Sequence, residues 1–252
     1  MRLTVASASP LRSLAVDALL AFAAALLSLR LAGRMAARFR ARRAPELAVW
    51  SASLLAFSVA SAALAWGASY GWSGPAFRIY YLFGGLLTAA LLGAGSLLLN
   101  RRRWALPAVL VYAGFAVGVA VAAPLHGSIG GTEIPEAQEH LEFFPTRLAA
   151  VLGNSLGTLA VIAVALLTFR GRPLGNALIL AGVATAALGS ALFGLGVAGN
   201  AATLALAAGL LYGGFVVRPA ARPQPHPHPE RDDRHDRPDL GEQAGRSPVR
   251  ER

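Results

Sequence analysis

The sequence predicts an all-α membrane protein, a bundle of seven transmembrane helices. Of its 252 residues, 55% are hydrophobic and only 14% are charged. The apolar residues gather in seven runs of roughly 20 residues, the length that crosses about 30 Å of hydrocarbon. Most of the charge lies in the segments between these runs. Because lipid offers no hydrogen bonds to an open backbone, runs of this length are expected to be helical.

The predicted spans are separated by short connections and one long one. They are residues 14–33, 47–66, 79–99, 104–123, 148–168, 174–196 and 199–217. The longest connection, residues 124–146, separates the fourth span from the fifth. Residues 1–217 are therefore predicted to form a transmembrane domain. Residues 218–252, rich in proline and in charges of both signs, are predicted to be a disordered tail.

The distribution of arginine predicts the orientation. The chain has no lysine, so all 23 basic residues are arginine. Eleven lie in the connections on one side: Arg30, Arg34, Arg38, Arg40, Arg42, Arg43, Arg101, Arg102, Arg103, Arg170 and Arg172. The other side holds only Arg2, Arg12, Arg78 and Arg147. The positive-inside rule then places the N-terminus outside and the tail in the cytoplasm, with the bundle in the cytoplasmic membrane.

A cleaved signal peptide is the alternative interpretation of residues 1–33. It is disfavoured because Asp17 interrupts the apolar run. Cleavage would also leave the arginines of residues 34–43 on the outer side, against the positive-inside rule.

Several function classes are excluded or left without support by composition. The absence of cysteine excludes disulfides, thiol catalysis and cysteine-bound metals. The absence of lysine excludes Schiff-base chemistry, and with it the function of a retinal-binding opsin. The net charge of +10 comes mainly from arginines at helix ends, so the lipid bilayer is predicted as partner and nucleic acid is not. No catalytic motif is present, and we predict neither an enzyme nor a cofactor.

Small residues recur every four positions in several spans, a pattern that lets helix backbones approach closely in a membrane. The pattern predicts a tightly packed bundle. Its members are Gly85, Ala89 and Gly93; Gly114, Gly118 and Ala122; Gly153 and Gly157; Gly182, Ala186, Ser190 and Gly194; and Ala205, Gly209 and Gly213.

Polar residues within the spans are the main functional candidates, because their burial in lipid is costly. Asp17 is the only acid inside a predicted span, roughly 6 Å below its outer end. We expect an arginine to neutralise it, with Arg78 the first choice. The outer half of the bundle is thus predicted to hold a polar vestibule made of Asp17, Arg78, Tyr81, Arg147, Asn154 and Asn200. The alternative is that the charged members face lipid headgroups and that Asn154 bonds between helices.

The long outer connection carries several acids and histidines. Glu136, Glu139 and His140 are expected to share one face of a short helix. Carboxylates and imidazoles suit a divalent cation such as zinc or manganese. No known ligand spacing is met, however, and an acidic surface helix needs no metal. We therefore predict no metal site.

Three short segments carry a resemblance to a known group of proteins. They are Phe77-Arg78-Ile79-Tyr80-Tyr81-Leu82-Phe83-Gly84, Gly175-Asn176-Ala177-Leu178-Ile179 and Gly213-Gly214-Phe215. They resemble an uncharacterised family of seven-span membrane proteins from high-GC bacteria, over most of residues 14–217. The resemblance implies a membrane location and assigns no activity and no site residues.

Two function classes remain open. The first is a carrier or solute-binding membrane protein that uses the outer vestibule for a small solute. The second is a sensor or assembly subunit that reads a ligand or protein partner outside and signals through its tail. A polar pocket reaching the middle of the bundle favours the first, whereas a sealed centre favours the second. Spans one, two, four and seven lack strongly polar residues at mid-depth, which predicts a sealed centre.

Overall fold

The protein is all-helical in the part that the computed structural model describes, which comprises residues 10–194 and 200–216. Side chains are described for residues 18–188 and for some of the last helix. These residues form seven long helices and one short α-helix, with a π-helical segment at Phe143–Arg147, a 3-10 turn at Phe169–Gly171 and no strand among them. The helices are α1 (Pro10–Arg42), α2 (Pro45–Tyr70), α3 (Gly74–Leu99), α4 (Ala105–Ala122), α5 (Ala137–His140), α6 (Leu148–Leu167), α7 (Pro173–Gly194) and α8 (Asn200–Val216).

Each predicted span falls on one of the long helices, so the all-helical prediction is confirmed. Five helical segments are long enough and apolar enough to cross a membrane: Ala18–Arg42, Pro45–Tyr70, Gly74–Leu99, Ala105–Ala122 and Phe143–Leu167. In α7 a shorter apolar stretch covers Pro173–Leu188. The predicted tail, residues 218–252, lies outside the described residues.

The first helix is longer than predicted. It continues through the arginine-rich residues 34–42, which the sequence analysis treats as a connection. Apart from one phenylalanine, this stretch is built from alanine, arginine and methionine, which favour helix, and the next proline comes only at Pro45. The chain reverses at Arg43, which adopts a left-handed φ of 52° and donates its N–H to the Phe39 carbonyl. Pro45 then occupies the first turn of α2, where its missing N–H costs nothing.

Six long helices form a closed ring. In order around it, α1 packs on α2, α2 on α3, α3 on α6, α6 on α7, α7 on α8, and α8 on α1. The seventh, α4, lies outside this ring against α3. We call the end that holds residues 124–146 the loop end. The opposite end, with Arg101–Arg103, Arg170 and Arg172, is called the arginine end.

Small residues bring α3 and α6 into backbone contact, as the sequence predicts. A Cβ on Gly93 would lie 2.5 Å from the Cα of Gly157. A Cβ on Gly157 would in turn overlap the carbonyl group of Ala89. The same expectation is wrong for α4, where Gly114 and Gly118 have no neighbouring atom within 4 Å of an added Cβ. Those two glycines lie on the exposed face of α4, where no other described helix packs.

Candidate functional site

The ring of helices lines a partly open cavity of about 610 Å³. This volume lies within the range of small-molecule sites in proteins, about 300–1,000 Å³. Along α3 the lining extends from Phe77 to Leu92, about 22 Å at 1.5 Å per residue. Because α3 runs from Gly74 to Leu99, the cavity passes its midpoint and continues toward the arginine end.

The cavity has a floor of apolar side chains at the arginine end and a roof of loop residues at the loop end. Leu31 and Leu54 line its floor and belong to an apolar cluster with Met35, Leu47 and Trp50 that fills the arginine end. At the loop end, Ile134, Pro135, Glu136, Ala137 and Gln138 line it from above. Packed apolar side chains of α1 and α2 therefore separate the cavity from the arginine end, whereas loop residues line it at the loop end.

Two walls of opposite character face each other across the cavity. The wall from α7 and α8 is apolar and consists of Val183, Ala186, Ala187, Ala207, Ala208 and Leu211. The wall from α1, α2, α3 and α6 carries the polar side chains Ser28, Ser53, Ser61, Tyr80, Tyr81, Thr88, Asn154 and Thr158. A molecule that fits this space has one edge suited to hydrogen bonds and one suited to apolar contact.

The polar wall includes a π-helical segment, Tyr81–Leu87, in the middle of α3. A π-helical turn displaces backbone carbonyls from their usual partners and is frequent at functional sites. Here side chains bond to three of the carbonyls. Thr88 donates its hydroxyl to the Phe83 carbonyl at 2.6 Å, and Asn154 donates its side-chain N–H to the Gly85 carbonyl at 2.7 Å. The Tyr112 hydroxyl lies 3.0 Å from the Leu86 carbonyl and 3.0 Å from that of Ala149.

Several hydroxyls in the polar wall have no hydrogen-bond partner among the described residues: those of Tyr80, Tyr81 and Thr158, which are partly exposed, and those of Ser28 and Ser61, which belong to the most buried side chains of the wall. Ser28 and Ser61 are 3% and 6% exposed and line the cavity, and neither side chain has a hydrogen-bond partner among the described residues. Neighbouring serines behave differently: Ser53 donates to the Thr88 carbonyl at 2.7 Å, and Ser58 to that of Ala25 at 2.8 Å. Because Ser28 and Ser61 line the cavity and donate to no described group, their hydroxyls are available to a bound molecule.

The roof segment is held in place by backbone and histidine contacts. Trp72 donates its N–H to the Gly131 carbonyl at 2.8 Å, and His126 donates its N–H to the His140 carbonyl at 3.0 Å. The His140 ring is buried, with its Nδ1 2.8 Å from the His126 carbonyl and its edge against the Phe77 ring. Nε2 of His126 lies 3.7 Å from a carboxylate oxygen of Glu142.

This arrangement corrects the expectation for the acidic loop. His140 points into the protein, whereas Glu136 and Glu139 are exposed, so the three do not share one face. Helix α5 covers only Ala137–His140, with Glu136 just before it. Within the described part of the chain, no three His, Asp or Glu side chains come together in a group that could hold a metal ion.

The predicted vestibule residues occupy different places. Tyr81 and Asn154 line the cavity, whereas Arg78 and Arg147 are not among its lining residues. The guanidinium of Arg147 lies 5.7 Å from the centre of the Phe143 ring. The side chains of Asp17 and Asn200 lie outside the described residues, so the pairing of Asp17 with Arg78 stays a prediction.

Arg78 bonds to the end of a neighbouring helix. Its guanidinium donates to the carbonyls of Ala120 at 2.5 Å, Val121 at 3.2 Å and Ala123 at 2.7 Å, at the C-terminus of α4. The last carbonyls of a helix lack partners within the helix and carry partial negative charge, which a cation stabilises. Arg172 acts similarly on α8, donating to the Gly214 carbonyl at 3.2 Å.

Sequence reasoning missed most of the polar wall. It identified Tyr81 and Asn154 but passed over Ser28, Ser61 and Thr158, because single hydroxyls in an apolar run are common and usually bond within their own helix. A signal for irregular helix was present in the sequence: two adjacent glycines, Gly84 and Gly85, followed three residues later by Thr88. The spacing of apolar residues does not reveal such a segment.

Comparison with known proteins adds no assignment to this geometry. No protein-family model matches this chain, and neither does any curated protein or solved structure. The resemblance to the seven-span family therefore stays a prediction.

Proposed function

We propose that this chain is a seven-span protein of the bacterial cytoplasmic membrane that binds a small solute in its central cavity and carries it. In this proposal the loop end faces outward, as does the N-terminus, and the arginine end faces the cytoplasm. The observation that carries the proposal is the cavity of about 610 Å³ that passes the midpoint of α3. A sealed centre would have favoured a sensor or assembly subunit.

The orientation can be tested with single cysteines, because the chain has none of its own. Ser128 and Gly171 are both exposed, at the loop end and the arginine end respectively. We expect Ser128→Cys to react with a membrane-impermeant thiol reagent in intact cells. Gly171→Cys is expected to react only after the cells are permeabilised. The reverse pattern would overturn the orientation.

Three features of the cavity support solute binding. It passes between helices that carry hydroxyl and amide groups in an apolar setting, as ligand sites generally do. It is bordered at one end by packed apolar side chains and at the other by a loop segment. A π-helical segment, a frequent feature of functional sites, forms part of its wall.

A cysteine in the middle of the cavity can report whether solutes reach it. Val183 lines the apolar wall at mid-depth of α7, and Val183→Cys keeps a side chain of similar size. In liposomes holding the protein, we expect this cysteine to react with a small uncharged thiol reagent added at the loop end. Ala187→Phe, one turn nearer the loop end on the same wall, should slow the reaction about tenfold or more, because its ring occupies the cavity.

Matched control variants distinguish a blocked cavity from a general disturbance of the fold. Leu188→Phe is the control for the blocking ring, since Leu188 is adjacent, 59% exposed and not part of the lining. Ser58→Cys is the control for the reporter, since Ser58 is buried on α2 away from the cavity. No reaction of Val183→Cys from the loop end, or equal effects of Ala187→Phe and Leu188→Phe, would overturn the proposal.

A further inference from the structure

The hydroxyls of Ser28 and Ser61 lie at different depths of the cavity. Hydrogen bonds from Ser51 to the Ala32 carbonyl and from Ser58 to that of Ala25 fix the antiparallel register of α1 and α2. On this register Ser28 lies level with residue 55 of α2, six residues from Ser61. The two hydroxyls are therefore about 9 Å apart along the bundle axis. A single small polar group does not reach both of them.

The cavity offers almost no charge to a ligand. Among the described residues that line it, Glu136 is the only carboxylate and no arginine is present. Glu136 lies in the roof and is exposed, far from the middle of the cavity. An ionised group at the depth of Ser28 would lose its water without gaining a counter-ion, which is strongly unfavourable. The interior therefore selects against charged molecules.

The facing apolar wall completes the shape of the ligand. Val183, Ala187 and Ala208 present only hydrocarbon opposite the serines. We propose that the solute is an elongated, uncharged molecule with hydrogen-bonding oxygens along one edge and hydrocarbon along the other. Its oxygens bond to Ser61 near the loop end and to Ser28 deeper in the cavity. This inference rests on the proposed function and names the class of solute.

A series of simple probe molecules tests the proposed class of solute. Octane-1,8-diol has two uncharged oxygens at the ends of an eight-carbon chain. Octane-1,8-diammonium and octanedioate have the same length with two positive or two negative charges, and octan-1-ol has one oxygen. Each is added to the protein with Val183→Cys in lipid nanodiscs, and the slowing of thiol labelling measures its binding. We expect the diol to protect the cysteine, octan-1-ol to protect it at higher concentration, and the two ions not to protect it.

Serine variants test the proposed contacts. Ser61→Ala and Ser28→Ala each remove one hydroxyl and little volume, and each should raise the half-protecting diol concentration about three- to tenfold. In the double variant, the diol should protect the cysteine only about as well as octan-1-ol does in that same variant. Ser58→Ala is the matched control, one turn from Ser61 with its hydroxyl bonded to Ala25, and should leave protection unchanged.

The possible failures are distinguishable. If either ion protects as well as the diol, or if the alanine variants at Ser28 and Ser61 behave like Ser58→Ala, the assigned solute class is wrong. If Val183→Cys is labelled but the diol gives no protection, the class is again wrong while the proposed binding cavity stands. If Val183→Cys is not labelled from the loop end at all, the proposed function fails first.

Discussion

Gly157→Ala is expected to lower the free energy of unfolding by about 3 kcal/mol, because the added methyl group has no space to occupy. The new Cβ would overlap the carbonyl group of Ala89 and lie 2.8 Å from the backbone N of Ala90. These are backbone atoms of α3, so no flexible side chain can move aside. The two helices must separate, and the close packing that stabilises helix pairs in a membrane is lost. Reversible unfolding in mixed micelles by added dodecyl sulfate measures the change.

Gly118→Ala is the matched control for this prediction. Gly118 is also a helical glycine in an apolar segment, but an added Cβ there meets no atom within 4 Å. Its replacement should leave stability unchanged or raise it slightly, since alanine favours helix over glycine by about 1 kcal/mol. Equal losses in the two variants would show that α3 and α6 do not approach at Gly157.

Arg78→Met is expected to lower the free energy of unfolding by about 2–3 kcal/mol, the loss typical of hydrogen bonds to a charged group. Methionine retains part of the apolar stem but cannot donate to the carbonyls of Ala120, Val121 and Ala123. Those carbonyls end α4, and in the variant the partial negative charge of the helix end is left without its cation. The same unfolding titration measures the loss.

Arg147→Met is the control for the second prediction. Arg147 also lies at the loop end, but its guanidinium interacts with the face of the Phe143 ring at 5.7 Å. A cation–π contact of this kind contributes about 0.5–1 kcal/mol where it is exposed. The loss at Arg147 should therefore be well below that at Arg78. A similar loss in both variants would mean that the contact of Arg78 with α4 contributes no more than an ordinary surface charge.

Hydrophobic run length predicted the helices well, and it failed where helix propensity or local geometry decided. The seven apolar runs locate the long helices. A helix satisfies all backbone hydrogen bonds within one segment, as an apolar environment requires. The arginines of residues 34–42 predict a connection, because charge marks the end of a span. The residues between them favour helix, and α1 continues through them.

Spacing predicted which small residues can allow close approach, but it could not show which of them have a neighbour. Gly93 and Gly157 meet across α3 and α6, whereas Gly114 and Gly118 in α4 meet nothing within the described residues. The four-residue pattern is the same in each case. Only the position of a helix, inside or outside the ring, determines whether a small residue is used for packing.

The sequence by itself determined the helical class of this protein, the approximate extent of each helix and the presence of arginine at one end, because these follow from local hydrophobicity and charge. The tertiary structure decided which polar residues meet. It turned Arg78 toward the end of α4 and opened a cavity between Ser28, Ser61 and the apolar wall of α7 and α8. Such pairings depend on helix rotation and register, which are fixed by packing between segments far apart in the chain and leave little trace in local sequence.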